Sequence, residues 1–279
     1  MREKLNILVY GEPKVGKTTF ACRRNPGVLI LDTEGSSKFI RGVQREVITS
    51  LKQMDNVLLR IKSGEIKVVV IDTLDELVNN FAQDEVRRKG GANVQGNGLL
   101  TMQGYGVMRD RFLSITRAYQ AAGADVLTLC HSEIVENTDG FKKQTIKLPS
   151  NYAKEVMGQM DIVGYLEVYR KPDGTNGRRL NLQKAPMFDA GYRAVYDAIA
   201  DKFQFVVPPV IEDATLVDIL KAYDDFFDGK KDGFNAKCSN CLQKGLDADA
   251  KKEVDGRLFC DPCAIKYEQL KQPNVPAQV

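Results

Sequence analysis

The sequence predicts an α/β fold built around a largely parallel β-sheet. Four short apolar runs have the length of buried strands. They are Leu5–Tyr10, Val28–Leu31, Val68–Ile71 and Val126–Cys130. Segments with apolar residues at helical spacing separate most of these runs. Alternating strands and helices are typical of a parallel sheet covered on both faces.

The helical segments follow from their apolar spacing. One face of the first carries Leu51, Met54, Leu58 and Ile61, with Thr49 or Ser50 as the N-cap. A second helix follows the third strand and carries Leu74, Leu77, Val78 and Phe81. A third precedes the fourth strand and carries Met108, Phe112, Ile115 and Tyr119.

The later part of the chain divides into smaller units. Ile162–Tyr169 and Arg179–Gln183 predict two strands around a turn, and Pro208-Pro209 indicates a boundary. An amphipathic helix and a polar DGKKDG segment come next. We therefore expect a core over 1–207, a helical linker over 208–236, a cysteine module over 237–267 and a disordered tail over 268–279.

Composition excludes some classes of protein. The chain has 40 basic and 37 acidic residues, so it lacks the general positive charge of many nucleic-acid binders, although local basic loops remain possible. It contains no run approaching the roughly 20 apolar residues of a membrane span, and the apolar run near residue 5 is shorter than we expect of a signal peptide. We expect a cytoplasmic protein without a membrane partner.

Residues 11–18, GEPKVGKT, match the phosphate-binding motif G-x-x-x-x-G-K-[ST] between a strand and a helix. Lys17 should bridge the β- and γ-phosphates of a nucleotide, and the Thr18 hydroxyl should ligate Mg²⁺. The alternative is a chance glycine-rich turn. The nucleotide-binding residues expected here are Gly11, Glu12, Pro13, Lys14, Val15, Gly16, Lys17, Thr18 and Thr19.

Two further strand ends carry carboxylates. Asp72 ends the run VVVID and should hold Mg²⁺ through a water, although it could also cap the following helix. Glu34, in LDTEG, is a candidate base for the attacking water if its strand lies beside the phosphate-loop strand. The alternative for Glu34 is a solvated loop carboxylate.

The series GEPKVGKT, LDTEG, VVVIDT and LTLCHSE resembles a RecA-type ATPase core over about residues 4–190. The short N-terminus and compact core are more similar to the phage RecA-like single-strand annealing ATPases than to full recombinases. The resemblance implies ATP as the nucleotide, Glu34 as the catalytic glutamate and the cytoplasm of a bacterium or phage-infected host. His131 stands where such recombinases usually have a γ-phosphate-sensing glutamine. The alternative is a hydrogen-bonded histidine at a strand end.

The resemblance also implies two DNA-binding loops. The first runs from Arg87 to Gly98 and the second from Asn137 to Ala153, where Phe141 and Tyr152 could stack on bases. Solvated surface loops are the alternative for both. The cations expected to contact single-stranded DNA are Arg87, Arg88, Lys89, Lys142, Lys143 and Lys147.

The predicted hairpin carries another basic group. In the RecA-like fold, the corresponding hairpin can send a cation into a neighbour's ATP site, and Lys184 is the candidate here. A surface hairpin with solvated charges is the alternative. If Lys184 acts in this way, the active form is a homo-oligomer or filament. A single-strand-binding protein is a further partner implied by the resemblance.

Four cysteines near the C-terminus have the spacing of a structural zinc site. They form two C-x-x-C pairs, and an iron–sulfur cluster is the minor alternative. The expected zinc ligands are Cys238, Cys241, Cys260 and Cys263. Asp255–Phe259 should form a short hairpin before the second pair.

Together these features predict a DNA-dependent ATPase that anneals or pairs single strands in phage-type recombination. One alternative is a helicase, helicase loader or packaging ATPase of the same fold. Another is a regulatory nucleotide-binding module that recruits a partner protein through the zinc domain.

Overall fold

The computed structural model describes residues 2–25, 27–136, 140, 142–198, 202–231, 233, 252–254 and 257–271. The first part contains β1 (Asn6–Gly11), α1 (Lys17–Cys22), β2 (Val28–Asp32), a 3₁₀ turn (Ser36–Phe39), β3 (Gln44–Val47), α2 (Leu51–Lys62), β4 (Val68–Asp72), α3 (Leu74–Glu76), a π-helical segment (Leu77–Ala82), α4 (Gln83–Lys89) and a 3₁₀ turn (Gly91–Asn93). The second part contains α5 (Met102–Ala121), β5 (Asp125–Glu136), β6 (Lys142–Ile146), α6 (Ser150–Gly158), β7 (Ile162–Arg170), β8 (Asn176–Asn181), β9 (Gly191–Tyr192), β10 (Val195–Asp197), β11 (Lys202–Gln204), β12 (Val210–Glu212), α7 (Leu216–Phe227), β13 (Lys252–Val254), β14 (Arg257–Phe259) and α8 (Asp261–Lys271).

A large, mostly parallel sheet organises the chain, which confirms the α/β prediction. Its main path has the order β12-β8-β7-β1-β5-β4-β2-β3. The strands from β3 to β7 along this path are parallel, whereas β8 and β12 add an antiparallel edge. The carboxyl ends of β1, β2, β4 and β5 therefore meet at one edge of the sheet.

The order of the strands corrects one premise about Glu34. The strand that precedes it, β2, does not lie beside β1, because β4 and β5 stand between them. Each of these four strands is parallel to its neighbour, so their carboxyl ends still face the same side. Glu34 and the phosphate loop consequently lie at the same edge of the sheet, with the ends of β4 and β5 between them.

Hydrophobic cores cover both faces of the sheet. In β1, Leu8 and Tyr10 join the core that packs beneath α2, α5 and α6, whereas Ile7 and Val9 join the core beneath α1 and α7. This alternation is the two-residue period of a strand buried on both faces. It explains why the central strands are continuous apolar runs in the sequence.

Helix starts follow local capping chemistry. Ser50 begins α2 with a capping box, in which its backbone N–H donates to Gln53 Oε1 at 3.0 Å. Thr101 begins α5, where its hydroxyl accepts from the Gly104 N–H at 3.2 Å. By contrast, β3 lies at the exposed edge and lacks an apolar run, so its sequence gives no strand signal.

The segment beginning at Pro208 differs from the predicted linker. Residues Val210–Glu212 pair with β8 and extend the sheet, and α7 buries Leu216, Ile219 and Tyr223 in the same core as β1. The apolar stripe of α7 therefore covers the sheet. The folded core continues past the predicted boundary at residue 207 to the end of α7.

The described C-terminal residues form a hairpin followed by a helix. Strands β13 and β14 pair antiparallel, as the sequence predicts, and the rings of Phe259 and Tyr267 stack at 5.0 Å. Cys260 and Cys263 lie at the start of α8, whereas Cys238 and Cys241 lie outside the described residues. Within the described part of the chain, no helix has the length and apolar character needed to cross a membrane.

Candidate active site

The phosphate loop joins β1 to α1, as the motif predicts. Gly11 has no room for a side chain, since a Cβ there would lie 2.3 Å from the Leu166 carbonyl oxygen. Gly16 has a φ of 101°, which favours glycine. Lys17 is buried, and its Nζ donates to the carbonyl oxygens of Gly11 and Glu12 at 3.0 Å each. The lysine ammonium is thus held inside the loop.

Thr18 and Asp72 form the candidate Mg²⁺ site. The Thr18 hydroxyl donates to Asp72 Oδ2 at 2.8 Å, so the loop and the end of β4 meet directly. Burial raises the pKa of Asp72 to about 6. The hydrogen bond from Thr18 acts to lower this pKa, whereas the negative charges of Asp32 and Glu34 act, like burial, to raise it. A hydroxyl and a carboxylate are oxygen ligands that suit Mg²⁺, so these residues fit the ion.

Asp32 organises the loop that carries Glu34. It is fully buried at the end of β2, where its Oδ1 accepts from the backbone N–H groups of Glu34 at 3.2 Å and Gly35 at 2.6 Å. Its Oδ2 accepts from the Ser37 N–H at 3.2 Å and from the Ser37 hydroxyl. The side chain of Glu34 itself is partly exposed, with 35% of its surface accessible. The buried carboxylate therefore fixes the backbone from which Glu34 projects.

His131 lies between two carboxylates at the end of the buried part of β5. Its Nδ1 is 2.8 Å from Asp75 Oδ2, and its backbone N–H donates to Asp75 Oδ1 at 3.1 Å. Its Nε2 is 3.9 Å from Glu34 Oε1, too far for a direct hydrogen bond. In the parallel pairing of β1 with β5, His131 lies opposite Gly11, the first residue of the phosphate loop.

The edge of the sheet is strongly acidic. Asp32, Glu34, Asp72 and Asp75 converge there around Lys17. Burial lowers the pKa of the Lys17 ammonium, and nearby acidic groups, led by Asp72, act in the opposite direction. A polyphosphate entering beside these carboxylates needs a divalent cation to offset the repulsion.

Two residues of this region escape sequence reasoning. Asp75 has the spacing of an ordinary acidic residue in a first helical turn, and only the fold brings it to His131. Arg178, on β8, donates from Nε to the Val15 carbonyl oxygen at 2.8 Å and lies over Gly16. In the sequence, the basic character of the predicted hairpin indicates that a cation there could reach an ATP site. That pattern favours Lys184 and does not distinguish Arg178 from the other basic residues. Lys184 is exposed beyond the end of β8.

The first predicted DNA segment contains the last turn of α4 and the 3₁₀ turn at Gly91–Asn93. Arg87, Arg88 and Lys89 form the last turn of α4, and Lys89 pairs with Glu85 at 3.0 Å. The Arg87 guanidinium donates to the Gly98 carbonyl oxygen at 3.2 Å, which ties the start of the segment to its end.

The second predicted DNA segment contains a strand and a helix. Lys142 and Lys147 are exposed along β6 and just after it, whereas Lys143 pairs with Asp189. Tyr152 is buried in α6 with 4% exposure, so the prediction that it stacks on bases is wrong. Its apolar ring packs in the core that α6 forms with α5. Phe141 lies outside the described residues.

The described residues contain no cluster of three or more potential metal ligands among His, Cys, Asp and Glu. Only two of the four predicted zinc ligands fall within this part of the chain.

Comparison with known proteins gives one family. A family model described as an AAA domain matches residues 3–194, which includes the phosphate loop, Glu34, Asp72 and His131. No curated protein matches the chain.

Proposed function

The chain belongs to the AAA domain family, which has a P-loop ATPase fold, and from this premise we propose that it hydrolyses ATP in response to single-stranded DNA. The biological role in this proposal is annealing or pairing of strands in phage-type homologous recombination. The observation that carries it is the meeting of Lys17, Thr18, Asp72, Glu34 and His131 at one edge of the sheet.

The binding step follows from the phosphate loop. Lys17 exchanges its two carbonyl partners for the β- and γ-phosphate oxygens of ATP, which are stronger acceptors because they are charged. Thr18 and Asp72 would hold Mg²⁺, which when bound offsets the charge of the phosphates. This arrangement accounts for a buried lysine whose hydrogen-bond partners, within the described part of the chain, are two carbonyl oxygens.

The hydrolysis step assigns the base to Glu34. Its carboxylate accepts a proton as a water oxygen bonds to the γ-phosphorus, and the bond from that phosphorus to the β–γ bridging oxygen breaks. The products are ADP and inorganic phosphate. His131 completes the site beside Glu34, where it would sense the terminal phosphate through a water held between the two side chains.

A continuous strand supports coupling to DNA. His131 lies in β5, which continues into the hairpin with β6, and the Lys147 N–H donates to the His131 carbonyl oxygen at 2.9 Å. Lys142 and Lys147 are exposed on this hairpin and can contact phosphates of a single strand. ATP at the loop, level with His131, and DNA at the hairpin, which begins at Ser132, would thus act on adjoining parts of one strand.

The proposal also includes a neighbouring subunit, a single-strand-binding protein and a structural zinc ion. Lys184 is the candidate cation for a neighbouring subunit's ATP site, which would make the active form a homo-oligomer or filament. A single-strand-binding protein would supply the DNA. The four cysteines would hold one structural Zn²⁺, and the hairpin β13–β14 followed by Cys260 and Cys263 is consistent with half of such a site.

The test is the steady-state ATPase rate with and without single-stranded DNA at low and moderate salt. A variant with Lys142→Gln and Lys147→Gln should lose DNA stimulation, with its basal rate unchanged. For single strands, each phosphate contact contributes about 0.7 to the slope of the logarithm of DNA affinity against the logarithm of salt concentration. The double variant removes two contacts, so this slope should decrease in magnitude by about 1.4. The matched control changes two exposed lysines of α2, Lys52→Gln and Lys62→Gln.

The outcomes separate the proposal from its alternatives. The proposal is supported if single-stranded DNA stimulates the ATPase rate and this stimulation decreases both at higher salt and in the Lys142→Gln, Lys147→Gln variant. A rate indifferent to DNA would contradict it and favour the module that recruits a partner. ATP-driven separation of duplex strands would instead indicate a helicase.

A further inference from the structure

Asp75 is a buried carboxylate that the proposed hydrolysis does not use directly. Its side chain is fully buried, and a buried charge is costly unless hydrogen bonds compensate for it. Burial acts to raise the pKa of Asp75, but hydrogen bonds from the ring and backbone of His131 outweigh it and lower the pKa to about 2. The backbone N–H of His131 can only donate, whatever the state of the ring, and this donor favours the ionised carboxylate of Asp75 at neutral pH.

An ionised carboxylate can only accept hydrogen bonds, and this fixes the proton on the neighbouring ring. Asp75 Oδ2 lies 2.8 Å from His131 Nδ1, so Nδ1 must carry a hydrogen. In a neutral imidazole, Nε2 then has a lone pair and no hydrogen. The second oxygen of Asp75 accepts from the backbone N–H of the same histidine, which ties the ring and the main chain to one partner.

The free nitrogen faces the proposed catalytic base. Nε2 is 3.9 Å from Glu34 Oε1, and the two groups are both acceptors. A neutral ring in this tautomer cannot donate to a phosphate oxygen. It can accept one hydrogen of a water whose other hydrogen bonds to Glu34, which leaves a lone pair of that water free to attack.

We propose that Asp75 is a positioning residue: it holds His131 in the Nδ1-protonated tautomer, so that Nε2 and Glu34 together orient the attacking water. Asp75 acts through His131 and touches neither ATP nor water. The part of this inference that concerns the water rests on the proposed ATPase function, whereas the tautomer does not.

The chain contains a single histidine, which allows a direct test. Long-range ¹⁵N–¹H NMR of the full chain labelled with ¹⁵N-histidine identifies the protonated nitrogen without any assignment. The spectrum is recorded without nucleotide at alkaline pH, where imidazole is neutral. The wild-type protein should show the hydrogen on Nδ1. A hydrogen on Nε2 would overturn the proposal, and this measurement needs no variant.

Asp75→Asn provides the second arm. The asparagine oxygen can keep the backbone N–H of His131, and its NH₂ group then donates to Nδ1, which moves the ring hydrogen to Nε2. The matched control is Asp55→Asn, an exposed aspartate that pairs with Arg111 on the surface and should leave the tautomer unchanged. A folded Asp75→Asn variant with the wild-type tautomer would contradict the proposal.

Kinetics then tests the role in orienting water. The folded Asp75→Asn variant should lower kcat by at least about tenfold, with little change in KM for ATP, because a ring in the wrong tautomer no longer accepts from the water. A shifted tautomer with unchanged kcat would overturn this role. If the wild-type protein hydrolyses no ATP at all, the proposed function fails and the NMR result still decides the tautomer.

Discussion

Replacing Asp32 by asparagine should impair both stability and turnover. The buried carboxylate accepts from three backbone N–H groups and from the Ser37 hydroxyl. The Asp32→Asn substitution retains the size of the side chain, but it replaces one carboxylate oxygen by an NH₂ group. This group faces the Ser37 N–H, which is also a donor. The backbone from which Glu34 projects then loses part of its anchor.

The magnitude follows from these bonds. A buried donor left without an acceptor costs about 1–3 kcal/mol, and the remaining bonds lose the strength that a charged acceptor gives them. We expect the free energy of unfolding to fall by about 2–4 kcal/mol. ATP affinity should change little, because Lys17 and Thr18 are untouched, whereas kcat should fall as Glu34 loses its position.

Urea unfolding, ATP binding and steady-state turnover measure the three effects. The control is Asp173→Asn, which removes an exposed carboxylate that also accepts from a backbone N–H and a hydroxyl, both of Thr175. Solvent replaces the lost partner there, so the change in stability should stay below about 1 kcal/mol. Equal losses in the two variants, or a normal kcat in folded Asp32→Asn, would refute the reasoning.

Three further predictions concern other parts of the chain. Lys17→Ala should weaken ATP binding by at least about 30-fold in calorimetry, since a buried charged partner is worth about 2–5 kcal/mol. Retained binding would contradict the phosphate-loop assignment. The difference in unfolding free energy between wild type and Asp75→Asn should shrink by about 1 kcal/mol between pH 5 and pH 3. The pKa of Asp75 is lowered from 3.8 to about 2 in the folded state, so its contribution is present above pH 3.8 and is lost as the pH falls towards 2. A difference independent of pH would exclude this linkage. Elemental analysis should find about one zinc per chain and clearly less after Cys263→Ser, and a metal-free wild-type chain would disprove the zinc module.

Local sequence determines much of this fold. The central strands are buried on both faces, so Ile7, Leu8, Val9 and Tyr10 produce an apolar run that is visible without any partner. The phosphate loop is contiguous in sequence, and Asp72 stands at the end of such a run. These features require no knowledge of which strands are neighbours.

Long-range pairing determines the rest. Asp75 and His131 are 56 residues apart, and Arg178 reaches Val15 across 163 residues, so neither contact leaves a local pattern. The burial of Tyr152 depends on how α6 packs against the core, and a basic segment gives no sign of it.

The most direct test of the central claim is the turnover of Mg²⁺-ATP by Glu34→Gln, with ATP binding measured on the same protein. The account predicts unchanged binding and a kcat lower by about 10²–10⁴, because the amide cannot take the proton of the attacking water. Glu65→Gln, at an exposed carboxylate that pairs with Arg60, is the matched control and should leave both quantities unchanged. Turnover at the wild-type rate in Glu34→Gln would contradict the account.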